Sequence, residues 1–342
     1  MPLRNVEAIP RKERISVTFL IDQLKNNLDL DLNPCFSEVS TDDRWITDTD
    51  LHRPGLALAG YVELFTHHRI QVIGNSESQY ISHLGYEACK ESFQKLTQFP
   101  IPVIFLTDNN VMPDSFLEMS KKAGIPVFQT PMETTEFMFL VRDFLEDQFA
   151  VQTMVHGSVV DVYGVGILIL GKSGIGKSEV ALDLVERGHR LVSDDVIILT
   201  KKNNVLIASP TDINKHFMEI RGLGIIDVMS MFGIRSIRYQ KRVEVILNLS
   251  LWDDTQHIDR TGLNKASEKV LGLNIPLINL PITPGKNITV IAEVIAMNHL
   301  LNNYGYDSAK TFQKKIQQRI SEKKAGSPVI QRAVNYFEGD LE

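Results

Sequence analysis

Eight residues near the middle of the chain have the types and the spacing of a phosphate-binding loop. The segment Gly171–Ser178 reads Gly-Lys-Ser-Gly-Ile-Gly-Lys-Ser, the complete G-x-x-x-x-G-K-S pattern. In such a loop the glycines let backbone N–H groups turn toward phosphate oxygens, the lysine contacts the β- and γ-phosphates, and the last serine can ligate Mg²⁺. We therefore expect a nucleotide or polyphosphate to be bound by Gly171, Lys172, Ser173, Gly174, Ile175, Gly176, Lys177 and Ser178.

The flanking residues fit the elements that must position this loop. The apolar run Val165–Leu170 predicts a strand before it. A helix after it is indicated by apolar residues at helical spacing, namely Val180, Ala181, Leu184 and Val185. A glycine-rich turn that matches the pattern by accident is the alternative, and the agreement of strand, loop and helix argues against it.

Two acidic pairs could supply the carboxylates that phosphoryl transfer needs. Asp194 and Asp195 follow a short predicted strand, and the carboxyl ends of strands are where ligands bind in open α/β sheets. One carboxylate would accept a hydroxyl proton and the other would help to hold Mg²⁺, although adjacent strand residues point to opposite faces unless the strand bends. Two solvated turn aspartates are the alternative. Asp253 and Asp254, after the apolar run Val243–Leu249, resemble a Walker B element and remain a rival.

Three further segments carry candidate residues. His156 precedes the phosphate-loop strand, and a lone histidine is more often structural than catalytic. Glu219–Asp227 has a carboxylate, a cation and two glycines within its first six residues, which suits either a mobile loop over an anionic ligand or a tight glycine turn. Pro281–Asn287 reads as a rigid turn that presents one cation, Lys286.

The composition narrows the class of protein. The 342 residues are 43% hydrophobic and 23% charged, with a net charge of −6, so neither a disordered chain, a membrane protein nor an extended nucleic-acid surface is expected. The two cysteines, Cys35 and Cys89, lack zinc-ligand spacing and fit a reducing compartment. The N-terminus shows no apolar core of the signal-peptide type, and no later run approaches the length of a membrane span, so we predict a cytoplasmic protein.

The order of apolar and helical segments predicts two α/β domains. Residues 1–131 alternate short apolar runs, such as Arg69–Ile73 and Pro102–Leu106, with helical stretches, and form a small N-terminal domain of unassigned role. Residues 132–325 form the catalytic domain, with strand signals that include Thr289–Val294. This domain ends in a basic amphipathic helix whose apolar stripe we expect to dock on the protein, and residues 326–342 form a polar tail.

Taken together, several segments resemble the bifunctional HPr kinase/phosphorylase family. The segments that carry the resemblance are His156-Gly157, Gly164–Glu179, Arg187–Asp195, Glu219–Val228, Arg53–Leu56 and Arg69–Gly74. The resemblance implies a P-loop kinase domain with a PEP-carboxykinase-like nucleotide core, assembled as a homohexamer. It also implies phosphorylation of a serine on the phosphocarrier protein HPr by ATP, or by pyrophosphate, with Mg²⁺. The reverse reaction would be a phosphate-dependent dephosphorylation that releases pyrophosphate, and both would control carbon metabolism.

The resemblance also implies roles for individual residues. Asp195 would accept the seryl proton and return it in the reverse direction, so that the pair Asp253 and Asp254 is no longer favoured. Ser178 and Glu219 would ligate Mg²⁺, with Asp194 near the metal or positioning the acceptor. The remaining roles fall to catalytic His156, Lys177 and Arg260 and to supporting Glu179, Arg221 and Lys286.

One segment departs from the family pattern. The family turn resembles Pro-Val-Arg-Pro-Gly-Arg and is associated with dephosphorylation, whereas here Thr283 replaces a cation and Lys286 replaces an arginine. We therefore expect a weakened phosphorylase with the kinase activity kept. A P-loop kinase of a small metabolite, or a non-catalytic nucleotide-gated regulator, would be the alternative functions.

Overall fold

The computed structural model describes residue 3 and residues 7–252, 266–283 and 285–324. Residues 322–324 are described by their main chain only. The main chain divides into two compact units. The N-terminal unit contains residues 7–153 and 200–203, and the C-terminal unit contains the other described residues.

The N-terminal unit is an α/β domain, as the alternation of its segments predicts. Its strands are β1 (Ile9–Pro10), β2 (Ile15–Ser16), β3 (Asn33–Pro34), β4 (Trp45–Ile46), β5 (Leu51–His52), β6 (Ile70–Ile73), β7 (Ile104–Leu106) and β8 (Val127–Gln129). Its helices are α1 (Val17–Leu28), α2 (Gly55–Leu58), α3 (Asn75–His83), α4 (Tyr86–Thr97), α5 (Asp114–Lys122) and α6 (Thr134–Gln148). The main sheet has the order β3-β8-β7-β6-β5, in which β5 to β8 are parallel.

Helix α6 belongs to this N-terminal unit, although we expected a domain boundary near residue 131. Phe137, Val141 and Leu145 recur on one face of α6 and are fully buried in the same cluster as Phe105 of β7. Burial of three large apolar side chains ties the helix to the sheet that precedes it in the chain. The division of the chain therefore falls near residue 153, after the helix and not before it.

The C-terminal unit is built on a mixed sheet. Its strands are β9 (Val151–Val162, which begins in the N-terminal unit), β10 (Val165–Gly171), β11 (Arg190–Lys202), β12 (Val205–Pro210), β13 (Phe217–Ile220), β14 (Gly224–Asp227), β15 (Lys241–Arg242), β16 (Val245–Leu251), β17 (Ala266–Val270) and β18 (Leu273–Ile282). The sheet has the order β15-β12-β11-β9-β10-β16-β18-β17, with β10, β16 and β18 parallel. The carboxyl ends of these three strands therefore lie at one edge of the sheet.

The helices of the C-terminal unit are α7 (Lys177–Glu186), α8 (Val228–Phe232), α9 (Ile288–Asn303) and α10 (Ser308–Lys324), and a 3₁₀ turn covers Ile234–Ser236. The strand predicted at Thr289–Val294 is wrong, because these residues lie in α9. β-Branched residues favour strands locally, but the Asn287 side chain caps the helix by accepting from the Val290 amide. Ala292 and Ala296 are buried one turn apart against the core, so tertiary packing decides the conformation.

The predicted C-terminal helix is present as α10. Its apolar stripe does not dock on the described part of the chain, since Phe312, Ile316 and Ile320 are 66%, 43% and 50% exposed. The predicted polar tail, residues 326–342, lies outside the described residues. Among the helices that are described, none combines the length and the apolar character needed to cross a bilayer.

Candidate functional site

The phosphate loop connects β10 to α7, as predicted from its flanking residues. Gly174 and Gly176 have φ values of 78° and 99°, in the region that favours glycine, so the loop can curl before Lys177 starts the helix. The four apolar residues predicted for the inner face of α7 are all buried. The Lys177 ammonium donates to the Lys172 carbonyl at 3.3 Å, which keeps its charge over the loop.

Asp194 lies beneath this loop and is 1% exposed. Its Oδ1 accepts hydrogen bonds from Ser178 at 3.1 Å and from Ser158 at 2.5 Å. Its Oδ2 is buried and has no hydrogen-bond partner among the residues that the structure describes. Because a buried carboxylate oxygen without a partner is costly, this atom marks a position where a cation or a donor would be favourable.

Burial sets the protonation behaviour of Asp194. Desolvation raises the pKa of this carboxyl above its usual range, and hydrogen bonds from Ser158 and Ser178 oppose the shift. The backbone of Glu219 and of Asp195 also favours the charged form, which shows that the main chain of β13 approaches this carboxylate.

Asp195 points away from this buried position. Its φ is 65°, an uncommon conformation for a non-glycine residue, and its side chain is 63% exposed. The strand is thus bent between the two aspartates, which is the condition under which adjacent carboxylates can serve different partners. On the exposed side Asp195 Oδ1 lies 3.5 Å from Nδ1 of His156.

Two polar residues at this bend were missed by the sequence reasoning. Ser158 lies two residues after His156 in β9, and their shared strand face could have suggested it. Asn214 donates from Nδ2 to the Asp194 carbonyl at 2.7 Å and to the Val196 carbonyl at 2.6 Å. No signal in the sequence distinguishes Asn214 from an ordinary polar loop residue.

The segment Glu219–Asp227 folds mainly as the hairpin of β13 and β14, in which Glu219 is opposite Ile225. Met218 and Ile226 anchor the hairpin in the core cluster that includes α7. At the turn, the Arg221 guanidinium donates to Ser173 Oγ at 3.3 Å. The hairpin therefore brings a cation to the phosphate loop, whereas the side chain of Glu219 is exposed.

The other candidates are distributed as follows. Glu179 is exposed in the first turn of α7, where a negative charge is favourable. Lys286 follows β18 and donates to the Pro281 carbonyl at 3.0 Å, at the sheet edge that also carries the loop. Arg260 and the rival pair Asp253 and Asp254 lie outside the described residues. Within the residues that are described, no three His, Cys, Asp or Glu side chains cluster as a metal site.

Each of the two units matches a model of a known protein family. Residues 15–145 match the family model described as the HPr Serine kinase N terminus, and residues 147–316 match that of the HPr Serine kinase C-terminal domain. The HPr kinase/phosphorylase of Chloroherpeton thalassium is 51% identical over 333 residues, covering 97% of this chain and 98% of that protein. The HPr kinase/phosphorylase of Prosthecochloris aestuarii is 47% identical over 333 residues, covering 96% and 98%.

A solved structure is also similar to the chain. The Hpr(Ser) kinase/phosphatase from Coxiella burnetii has 38% sequence identity and a TM-score of 0.42, with 46% of this chain and 97% of that chain covered.

Proposed function

The chain belongs to the HPr serine kinase family, and from this premise we propose how its site moves a phosphoryl group to and from a serine of HPr. In the forward direction the seryl oxygen attacks the γ-phosphorus of ATP, or a phosphorus of pyrophosphate, and the bond to the leaving phosphate oxygen breaks. In the reverse direction an oxygen of inorganic phosphate attacks phosphoserine, which releases the serine and pyrophosphate.

Asp195 acts as the general base in the forward direction and, once protonated, as the general acid in the reverse direction. Its exposed carboxylate can reach an incoming hydroxyl, accept the proton as the seryl oxygen attacks, and return it when phosphoserine is cleaved. His156, at 3.5 Å, is placed to orient this carboxylate. The observation that carries this proposal is the contrast between the exposed side chain of Asp195 and the buried side chain of Asp194.

The donor phosphates bind in the loop. Backbone N–H groups between Gly171 and Ser178 and the start of α7 favour anions, and Lys177 adds a positive charge. Arg221 contacts the same loop through Ser173, so its guanidinium is close enough to donate hydrogen bonds to phosphates bound there. Arg260 completes the proposed set as the cation that neutralises charge during transfer.

Mg²⁺ fits the oxygen atoms beside the loop. The partnerless Oδ2 of Asp194 and the hydroxyl of Ser178 are hard oxygen ligands of the kind that Mg²⁺ accepts with substrate phosphates. We also assign Glu219 to the metal site, as the family resemblance implies, because its backbone lies beside Asp194. When bound, Mg²⁺ neutralises charge that develops on the phosphate oxygens.

The protein partner and the assembly extend the proposal. Helix α10 carries an exposed apolar stripe together with basic residues, which suits contact with HPr in a homohexamer. The altered turn at Thr283 and Lys286 supports a phosphorylase weaker than the kinase, because a lysine offers one point charge where an arginine offers a bidentate fork. The cytoplasmic location remains a prediction from the sequence.

Transfer of label tests the proposed function. The protein is incubated with [γ-³²P]ATP, Mg²⁺ and HPr, in parallel with an HPr variant whose acceptor serine is alanine. We expect label on the serine of HPr and none on the variant. Label on a small metabolite would favour a metabolite kinase, and nucleotide binding without transfer would favour a gated regulator.

A further inference from the structure

A single amide side chain bridges the main chain on both sides of Asp195. Asn214 Nδ2 donates to the carbonyl oxygen of Asp194 at 2.7 Å and to that of Val196 at 2.6 Å. We propose that Asn214 is a positioning residue that holds the bend at Asp195 and thereby aims its carboxylate at the acceptor. This inference rests on the proposed role of Asp195 as the group that handles the proton.

The bend needs such a brace because it is not a preferred conformation. A φ of 65° is uncommon for a non-glycine residue, even though aspartate and asparagine adopt it more readily than most, so hydrogen bonds from the surroundings help to fix it. In a regular strand Asp194 and Asp195 would simply alternate between two faces. With the bend, Asp194 meets Ser178 below the loop while Asp195 lies beside His156 on the exposed side.

Asn214 is itself held rigidly, so it can transmit a fixed geometry. Its Oδ1 accepts from both the amide and the hydroxyl of Thr211, each at 2.7 Å. The backbone N–H of Asn214 donates to Thr211 Oγ1 at 3.3 Å. The polar atoms at both ends of the side chain are thus engaged, one with Thr211 and the other with the bend. A side chain locked in this way fits the positional accuracy that a catalytic carboxylate requires.

The hydrogen bonds of Asn214 involve the bend and Thr211, and none of them is made to the phosphate loop. Loss of the brace should therefore lower kcat and leave the KM for ATP little changed. Misplacement of a reacting group by about 1 Å can cost about 100-fold, so we expect kcat to fall about 10- to 100-fold in Asn214→Ala.

Three variants test the brace. Asn214→Asp keeps the size and the acceptor facing Thr211 but replaces the donors, and it should lose kcat as Asn214→Ala does. Thr211→Val removes the hydroxyl that holds Oδ1, should lose less, and carries the comparison if the Asn214 variants do not fold. Asn110→Ala is the matched control, since Asn110 Nδ2 donates to the Thr107 carbonyl and to Asn75 in the N-terminal unit. Its kcat should be unchanged.

A double-mutant cycle with Asp195→Asn separates positioning from a general structural role. If Asn214 acts through Asp195, Asn214→Ala should lower single-turnover kinase rates in the wild-type background and have no further effect beside Asp195→Asn. Additive losses, or a raised KM for ATP with kcat intact, would overturn the inference. If Asp195→Asn itself keeps full activity, the proposed function of Asp195 fails instead, so the two failures are distinguishable.

Discussion

Ser178 of the phosphate loop donates a hydrogen bond to Oδ1 of Asp194 at 3.1 Å, and Oδ2 of the same carboxylate is buried without a hydrogen-bond partner in the described part of the chain. The oxygen atoms of the loop serine and the strand aspartate thus lie side by side, in the arrangement that we propose holds Mg²⁺. Their contact places the loop beside the bend within β11 (Arg190–Lys202), where Asp195 follows directly.

Asp194→Asn should raise the Mg²⁺ concentration that gives the half-maximal kinase rate. The amide keeps the shape and an acceptor for Ser178 but removes the negative charge, and loss of a supporting metal-site group typically costs about 10- to 100-fold in metal affinity. Mg²⁺ titrations of initial rates measure the effect. Asp161→Asn is the control, since Asp161 is also a buried strand aspartate but pairs with Arg238. Identical Mg²⁺ curves for Asp194→Asn and wild type would contradict the assignment.

Gly174→Ala should weaken ATP binding. A Cβ at this position would lie 2.5 Å from Nη1 of Arg221, so the guanidinium must leave Ser173. Loss of one charge-assisted hydrogen bond of about 1.5 kcal/mol corresponds to an increase of about tenfold in Kd, measurable by calorimetry. Gly164→Ala is the matched control, because its φ is also positive, at 85°, and its Cβ would meet open space. Equal affinities for the two variants would exclude a role of Arg221 in phosphate binding.

Glu293→Gln should destabilise the protein in a pH-dependent way. Hydrogen bonds from Arg187 and His189 lower the pKa of Glu293 to about 2, from an ordinary value of 4.5. The charged carboxylate therefore stabilises the fold fully above pH 4.5, and this contribution is lost as the pH falls from 4.5 toward 2. The gap in Tm between wild type and variant should be several degrees at pH 7 and should close on acidification.

The exposed Glu186, on α7 close to Arg187, supplies the control for that experiment. Glu186→Gln should leave Tm unchanged at each pH. A gap for Glu293→Gln that stays constant, or widens, below pH 4.5 would show that the carboxylate is not held in its charged form by Arg187 and His189.

Restoring arginines in the turn after β18 should strengthen the reverse reaction. In the double variant Thr283→Arg and Lys286→Arg, one added charge-assisted hydrogen bond of about 1.5 kcal/mol would raise phosphorolysis about tenfold. Pyrophosphate release from serine-phosphorylated HPr at high phosphate measures it, with the kinase rate as the internal control. A wild-type protein whose phosphorolysis rate equals its kinase rate would contradict the proposal that this turn weakens the reverse reaction.

Much of the fold could be predicted because hydrophobic periodicity is a local signal. The strand before the loop and the inner face of α7 follow from residues a few positions apart, and the structure confirms them. Two expectations failed where distant packing decides. Thr289–Val294 is helical because its buried residues recur at helical spacing and pack on the core. Helix α6 joins the N-terminal unit because the residues it packs against, such as Phe105, precede it by about thirty residues.

The site could be predicted only in part. The phosphate loop is recognisable as a contiguous motif, and Asp194 and Asp195 are candidates from their place after a predicted strand, favoured over Asp253 and Asp254 by the family resemblance. The bend between Asp194 and Asp195 has a single positive φ, at Asp195, and receives hydrogen bonds from Asn214, which lies 20 residues after Asp194. Neither a backbone angle nor a bridging amide produces a periodic pattern in the sequence, so spacing could not reveal that one aspartate is buried and the other exposed.

The kinase rate of Asp195→Asn tests the central claim most directly. The variant keeps the size of the side chain and tolerates the positive φ, but it cannot accept the seryl proton. Loss of a positioned base should lower kcat for HPr phosphorylation by about 10²- to 10⁴-fold, with the Kd for ATP unchanged and the Tm preserved. A folded, ATP-binding Asp195→Asn protein that phosphorylates HPr at the wild-type rate would contradict the account.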